Sequence, residues 1–158
     1  MHWARARMGH SLRELRRQYV TPLVTVEACR TRRQSNASGL MNVPQLKEFC
    51  GGFAGATKTL YEEPYNFLVY AVGGNKFAYF KTSRPERWRF STRVSPDRFI
   101  ELTDVPGVKP ARYRGRFHWI TIVNVSGFPA LYLMELVEWS YRRAFSSLSK
   151  ARQTAIRA

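Results

Sequence analysis

The sequence predicts an α+β fold: an antiparallel sheet of about four to five strands, with an N-terminal helix and a long C-terminal helix packed on one face. Three observations predict it. Two runs rich in aromatic and β-branched residues, Phe67–Val72 and Lys76–Phe80, flank Gly73-Gly74-Asn75, which is a hairpin signature. A third run alternates Trp88, Phe90, Thr92 and Val94 with Arg89, Ser91 and Arg93, the period of a strand with one buried face. Finally, Ala130, Leu133, Met134, Val137, Tyr141, Ala144, Phe145 and Leu148 recur at helical spacing. A helix of that length covers one face of a sheet and leaves the other open.

The totals narrow the field. A chain of 158 residues holds one domain with a proper core, and 44% hydrophobic with 14% aromatic residues is a composition that folds. The formal net charge of +15 suggests an anionic partner such as nucleic acid, or an acidic membrane surface. It divides unevenly: residues 1–40 carry 8 Arg and 2 acids (+6), and residues 41–158 carry 18 Lys and Arg and 9 acids (+9). There is no run of 18 apolar residues to span a membrane and no apolar core of a secretory signal near the N-terminus. Cys29 and Cys50 form neither a metal-ligand spacing nor a disulfide framework, so a reducing cytoplasm is the expected location.

The first forty residues read as an appendage, either a disordered basic leader or an over-long start. Within them Ser11–Tyr19 suits one short amphipathic helix with Ser11 and Glu14 as a capping box. The segment Arg30–Gly39 reads as a linker. An Arg-rich leader with few acids also fits an organelle transit peptide, or an arm that tracks phosphates. Met41 opens what looks like the domain, 41–158, because Asn42 caps, Pro44 sits in the first turn and Gln45 completes a capping box.

From there the elements follow in order. Leu46, Phe49, Cys50 and Phe53 give a helix one apolar face, ended by Gly51-Gly52, with Cys50 as a core thiol. Gly55–Pro64 reads as a loop, and its adjacent Glu62 and Glu63 as a solvated turn without catalytic partners. The hairpin and the third strand follow, with Trp88 and Phe90 inside and Arg89 and Arg93 outside. Ser95-Pro96-Asp97 starts a short helix through Phe99, Ile100 and Leu102. After the long helix, Lys150–Ala158 reads as a frayed basic tail.

The stretch Val105–Val125 concentrates the candidate functional residues. Pro106-Gly107 and Pro110 make its first part a loop, and Ile120–Val123 its last part a strand. Between them Lys109, Arg112, Arg114 and Arg116 interleave with Tyr113, Phe117 and Trp119. In an extended segment Arg112, Arg114 and Arg116 share one side. Cations that can grip phosphates, beside rings that can stack, are what a nucleic-acid surface needs; the other reading of the same stretch is a solvated basic loop whose aromatics turn into the core. With Lys76, Arg89 and Arg93 from the strands and His118 as a neutral donor or loop-fixing residue, these make the candidate nucleic-acid site. Trp119 reads as core.

In these motifs the chain resembles the MmcQ/YjbR family of small bacterial proteins. The carriers are Gly73-Gly74-Asn75-Lys76-Phe77-Ala78, Thr92-Arg93 leading into Ser95-Pro96-Asp97, the run Pro106–Ala111, His118-Trp119, and Ser140-Tyr141. The likeness spans about residues 42 to 152. It implies a fold similar to the frataxin homologue CyaY, and DNA binding. The family often shows Asn-Lys where this chain has Gly115-Arg116, so the basic residue is kept and the amide is lost.

The expected function is therefore a DNA-binding protein that contacts mainly the phosphate backbone, with duplex DNA as partner and little sequence preference. Neither a helix-turn-helix nor zinc-finger spacing is present. The alternative is a non-enzymatic small-molecule or peptide binder, with Tyr65, Tyr70, Tyr79 and Trp88 lining an aromatic pocket. An iron-handling role fails because such sites need clustered oxygen ligands. With no P-loop, dinucleotide fingerprint, nucleophile elbow or zincin motif, neither enzymatic activity nor a cofactor or metal is expected.

Overall fold

The computed structural model describes residues 39–158, so the helix read at Ser11–Tyr19 lies outside them. It is an α+β structure with a six-stranded, wholly antiparallel sheet in the order β1-β2-β3-β4-β6-β5. The strands are β1 Ala56–Tyr61, β2 Phe67–Val72, β3 Asn75–Lys81, β4 Phe90–Arg93, β5 Val108–Pro110 and β6 Trp119–Ile122. The helices are α1 Val43–Gly51, α2 Pro96–Thr103, α3 Ala130–Ser146 and α4 Lys150–Arg157.

The four α-helices of the described residues lie on one face. α1 starts as its sequence dictates: the Gln45 backbone N–H donates to Asn42 Oδ1 at 2.9 Å, and the Asn42 N–H donates to Gln45 Oε1 at 3.0 Å. The long helix α3 packs against β2, β3 and β4, while α2 packs against β5 and β6. The core between them is built from Leu46, Phe77, Phe80, Phe90, Ile120, Leu133 and Leu136 among others, all fully buried.

A bulge shapes the centre of the sheet. The register between β2 and β3 slips after the Tyr70–Ala78 pair, so that Ala71 faces Lys76 and Phe77 is the extra residue. Its carbonyl oxygen then accepts from two buried hydroxyls, Ser140 Oγ at 2.7 Å and Thr92 Oγ1 at 3.1 Å. Ser140 Oγ in turn accepts from the Arg93 backbone N–H at 3.3 Å. The hairpin is tied to α3 a second time, because Asn75 Nδ2 donates to the Ala144 carbonyl at 3.0 Å. Gly73 closes on the connection between α3 and α4 so tightly that a Cβ there would meet Leu148 at 2.7 Å.

Several sequence expectations are corrected. The segment read as the loop Gly55–Pro64 contains strand β1, an edge strand almost entirely exposed and hence without apolar alternation. The sheet also gains β5, three residues inside the Pro/Gly segment. Trp88 is 46% exposed rather than inside, because tight turns through Ser83, Glu86 and Arg89 precede β4 and delay the strand until Phe90. Ile100 is also exposed. The presumed frayed tail is the helix α4, whose Ile156 packs against the core beside Gly55. Among the described residues no helix is long and apolar enough to cross a membrane.

Candidate functional site

The face of the sheet opposite the helices carries the charge. Cross-strand partners share a face, so the pairs Ala71–Lys76, Phe67–Lys81, Arg93–Trp119 and Lys109–Thr121 place Lys76, Lys81, Arg93 and Lys109 together on the outer side. None of the six strands contains an aspartate or glutamate. The carboxylates of the described chain lie on helices and in loops instead.

This face is also aromatic. Tyr61 pairs with Phe67 across β1 and β2, Phe67 meets Tyr79 edge-on at 6.3 Å, and Tyr79 meets Trp119 at 5.0 Å. The result is a row of rings running across the strands. Each ring has a cation over it. Lys76 Nζ lies 5.8 Å from the centre of Tyr61 and 6.0 Å from that of Tyr79, and Lys81 Nζ lies 4.4 Å from that of Phe67. The Arg114 guanidinium sits 4.6 Å from the Tyr79 ring and 5.8 Å from Trp119, and donates a hydrogen bond to the Tyr79 hydroxyl. Burial holds the Tyr79 phenol above its ordinary pKa, an effect that the positive charge of Arg114 partly offsets.

Arg114 reaches the sheet because residues 111–118 fold back over it. The segment is a tight turn followed by a short 3-10 helix, Gly115–Phe117, rather than extended chain. Its turns are closed by Gly115 N–H to the Ala111 carbonyl at 2.8 Å and His118 N–H to the Gly115 carbonyl at 2.9 Å. Tyr113 and His118 adopt left-handed backbone conformations, with φ of 65° and 60°. The period-two alignment expected for Arg112, Arg114 and Arg116 is therefore lost. Arg114 lies on Tyr79 and Trp119, whereas Arg112 and Arg116 are exposed over their own neighbours, Tyr113 at 5.0 Å and Phe117 at 4.7 Å.

The remaining sequence candidates are placed as follows. Lys76 and Lys109 are exposed on the outer face, and Arg93 is half-buried there. Arg89 precedes β4 and is paired with Glu86 at 2.7 Å, which partly neutralises it. His118 fixes the loop: its carbonyl accepts from the Val94 N–H at 2.9 Å, and its ring packs edge-on to Phe99 at 5.6 Å. Trp119 is buried, as read, though in a small second cluster with Val69, Tyr79 and Ala111 on the outer face. Lys81 was missed because the strand reading stopped one residue short of it.

The alternative aromatic pocket does not assemble from its four residues. Tyr70 is buried under the helices and Tyr79 lies on the opposite face, while Tyr65 and Trp88 are exposed in loops. A side chain at 115 in place of glycine would press on Pro110, with its Cβ 3.1 Å from the proline Cβ, which accounts locally for the glycine there.

Comparison with known proteins supports the architecture. The family model described as YjbR matches residues 52–143, more than half of the chain. A crystal structure of the Deinococcus radiodurans protein DR2400, of family-model domain DUF419, is similar with a TM-score of 0.65 and 23% identity. That match covers 76% of this chain and 91% of the other. A Pseudomonas syringae protein of known structure matches with a TM-score of 0.54 and 20% identity, covering 66% of this chain and 99% of that one. At these identities the two structures speak to fold alone. No curated protein matches the chain.

Proposed function

This chain belongs to the YjbR family, and we propose that it binds DNA, mainly through the phosphate backbone, on the sheet face that the helices leave uncovered. The observation that carries this reading is the charge sorting of the sheet. Its strands hold no carboxylate, and its outer face gathers Lys76, Lys81, Arg93 and Lys109, with Arg114 folded onto them and Arg112 and Arg116 beside it. A surface with cations of one sign over about seven positions attracts a polyanion, and each phosphate neutralised releases condensed counterions. The role is that of a binding module rather than an enzyme.

The test is a salt series with the full chain and labelled DNA. Lys76, Lys109, Arg112 and Arg116 are all exposed, so replacing the four with alanine leaves the core untouched. Log K should fall linearly with log salt for the native chain. The quadruple variant should lose about three units of that slope, at roughly 0.7 to 0.9 per phosphate contact. An unchanged slope would move the DNA affinity to another part of the chain and overturn the assignment. Absence of binding at low salt would overturn the function itself.

A further inference from the structure

We propose that the DNA held by this face is single-stranded, its bases stacking on Tyr61, Phe67, Tyr113 and Phe117 while the neighbouring lysines and arginines hold its phosphates. This rests on the DNA-binding reading above and specifies its partner.

The exposed rings carry the inference. Phosphate contacts alone require cations and no aromatics, yet Tyr113 is 82% exposed, Phe117 49% and Tyr61 41%, and Phe67 is half-buried next to Tyr61. Tyr61 and Phe67 stand on the outer face of the sheet, Tyr113 and Phe117 stand on the loop that carries Arg114 onto it, and each of the four has a Lys or Arg within 6 Å of its ring centre. A duplex keeps its base faces inside its own stack and gives such rings nothing to contact. A single strand offers every base face, and stacking on aromatic side chains supplemented by arginine is how such strands are held without sequence readout.

Shape points the same way. Six strands spaced about 4.8 Å apart span about 24 Å between the outermost two, roughly twice the ~12 Å width of a major groove. Among the described residues no α-helix lies on this face to enter a groove in place of the sheet. The duplex expected from sequence therefore meets a face that can touch its backbone and little else. Tyr79 and Trp119 lie beneath Arg114 and are nearly buried, so they serve as the floor of the site.

The experiment compares the full chain with its Tyr113→Asn/Phe117→Ser/Tyr61→Ser variant on three labelled probes at one salt concentration: oligothymidine, an abasic strand of the same length, and a duplex of that length. Asparagine is chosen at 113 because it tolerates the left-handed backbone there. Every cation is kept. The native chain should bind oligothymidine tighter than either other probe, and the variant should lose on the order of tenfold per ring on oligothymidine alone. Circular dichroism and the urea midpoint confirm that the variant is folded. Equal affinity for duplex, or oligothymidine binding indifferent to the rings or to the bases, overturns the single-strand inference and leaves the DNA reading standing. Failure of all three probes to bind removes both.

Discussion

The carbonyl of Phe77 offers the sharpest test of how this sheet is held. It accepts from two hydroxyls, those of Thr92 and Ser140, whose residues are 0% and 2% exposed. A carbonyl has two lone pairs, so each hydroxyl can cover for the other. Thr92→Val exchanges one hydroxyl for a methyl of the same shape and removes one donor, at about 1 kcal/mol. Ser140→Ala removes the other donor and also the acceptor of the Arg93 N–H, and should cost about 2 kcal/mol. The double variant leaves the bulge carbonyl buried without either side-chain donor. It should cost about 1 kcal/mol more than the sum, the signature of two groups sharing one partner. Urea unfolding reads all three as shifts of midpoint at unchanged slope. Additivity to within about 0.5 kcal/mol would mean that the hydroxyls act independently, and would refute the shared-carbonyl account.

Two further outcomes follow from the fold. Gly73→Ala places a Cβ 2.7 Å from Leu148 at a φ of 54°, so it should destabilise by about 1–3 kcal/mol and should be partly rescued by Leu148→Ala, measured by urea midpoints. Burial raises the pKa of the Cys50 thiol and of Tyr70, Tyr79, Tyr132 and Tyr141 above their ordinary values. The folded chain keeps protons that the unfolded chain sheds, so stability is full below the unfolded values and falls as pH rises, from about 8.5 for the thiol and about 10 for the phenols. Cys50→Ala should flatten the decline between about pH 8.5 and 10 and leave the steeper loss above it, in urea midpoints taken across that range.

Much of the fold was legible because it rests on local chemistry. The capping box at Asn42 and Gln45, the hairpin near Gly73-Gly74 and the apolar stripe of α3 are each short-range signals; the first forms as written, the second with Asn75 drawn into β3, and the third with Leu136 and Ser140 also buried and Leu148 past the helix end. What escaped depends on distant contacts or on the lack of them. β1 sits at the sheet edge, where both faces are exposed and no alternation is imposed. α4 attaches through Ile156, Gln153 and Arg157, whose guanidinium lies 5.0 Å from the centre of the Phe145 ring, and a single apolar residue among these is too little to mark an apolar stripe within a basic sequence. The loop from Ala111 to His118 turns at Tyr113 and His118, and a tyrosine at positive φ has no sequence signal. The arginines were visible as a group, but their arrangement was not. Only the folded loop shows that Arg114 lies on the aromatic floor while Arg112 and Arg116 face outward.

The motifs that carry the family likeness divide cleanly once the structure assigns each residue a neighbour. Asn75, Phe77, Thr92 and Ser140 dock the sheet on α3, Ser95 caps α2 through the Arg98 N–H, and Ala111 bonds the Trp119 carbonyl to seat the loop. Packing accounts for all of these. It does not account for Lys76, Arg93 and Lys109, which lie within the same motifs, one residue to either side, and point to the opposite face. A strand whose outer residues served only solubility could carry either sign of charge, as strands facing water commonly do. Here three motifs on three different strands place a cation at the outer position, and none of the six strands places an acid there. The packing residues explain why the chain folds as it does, and the residues alternating with them are therefore where the partner must be sought.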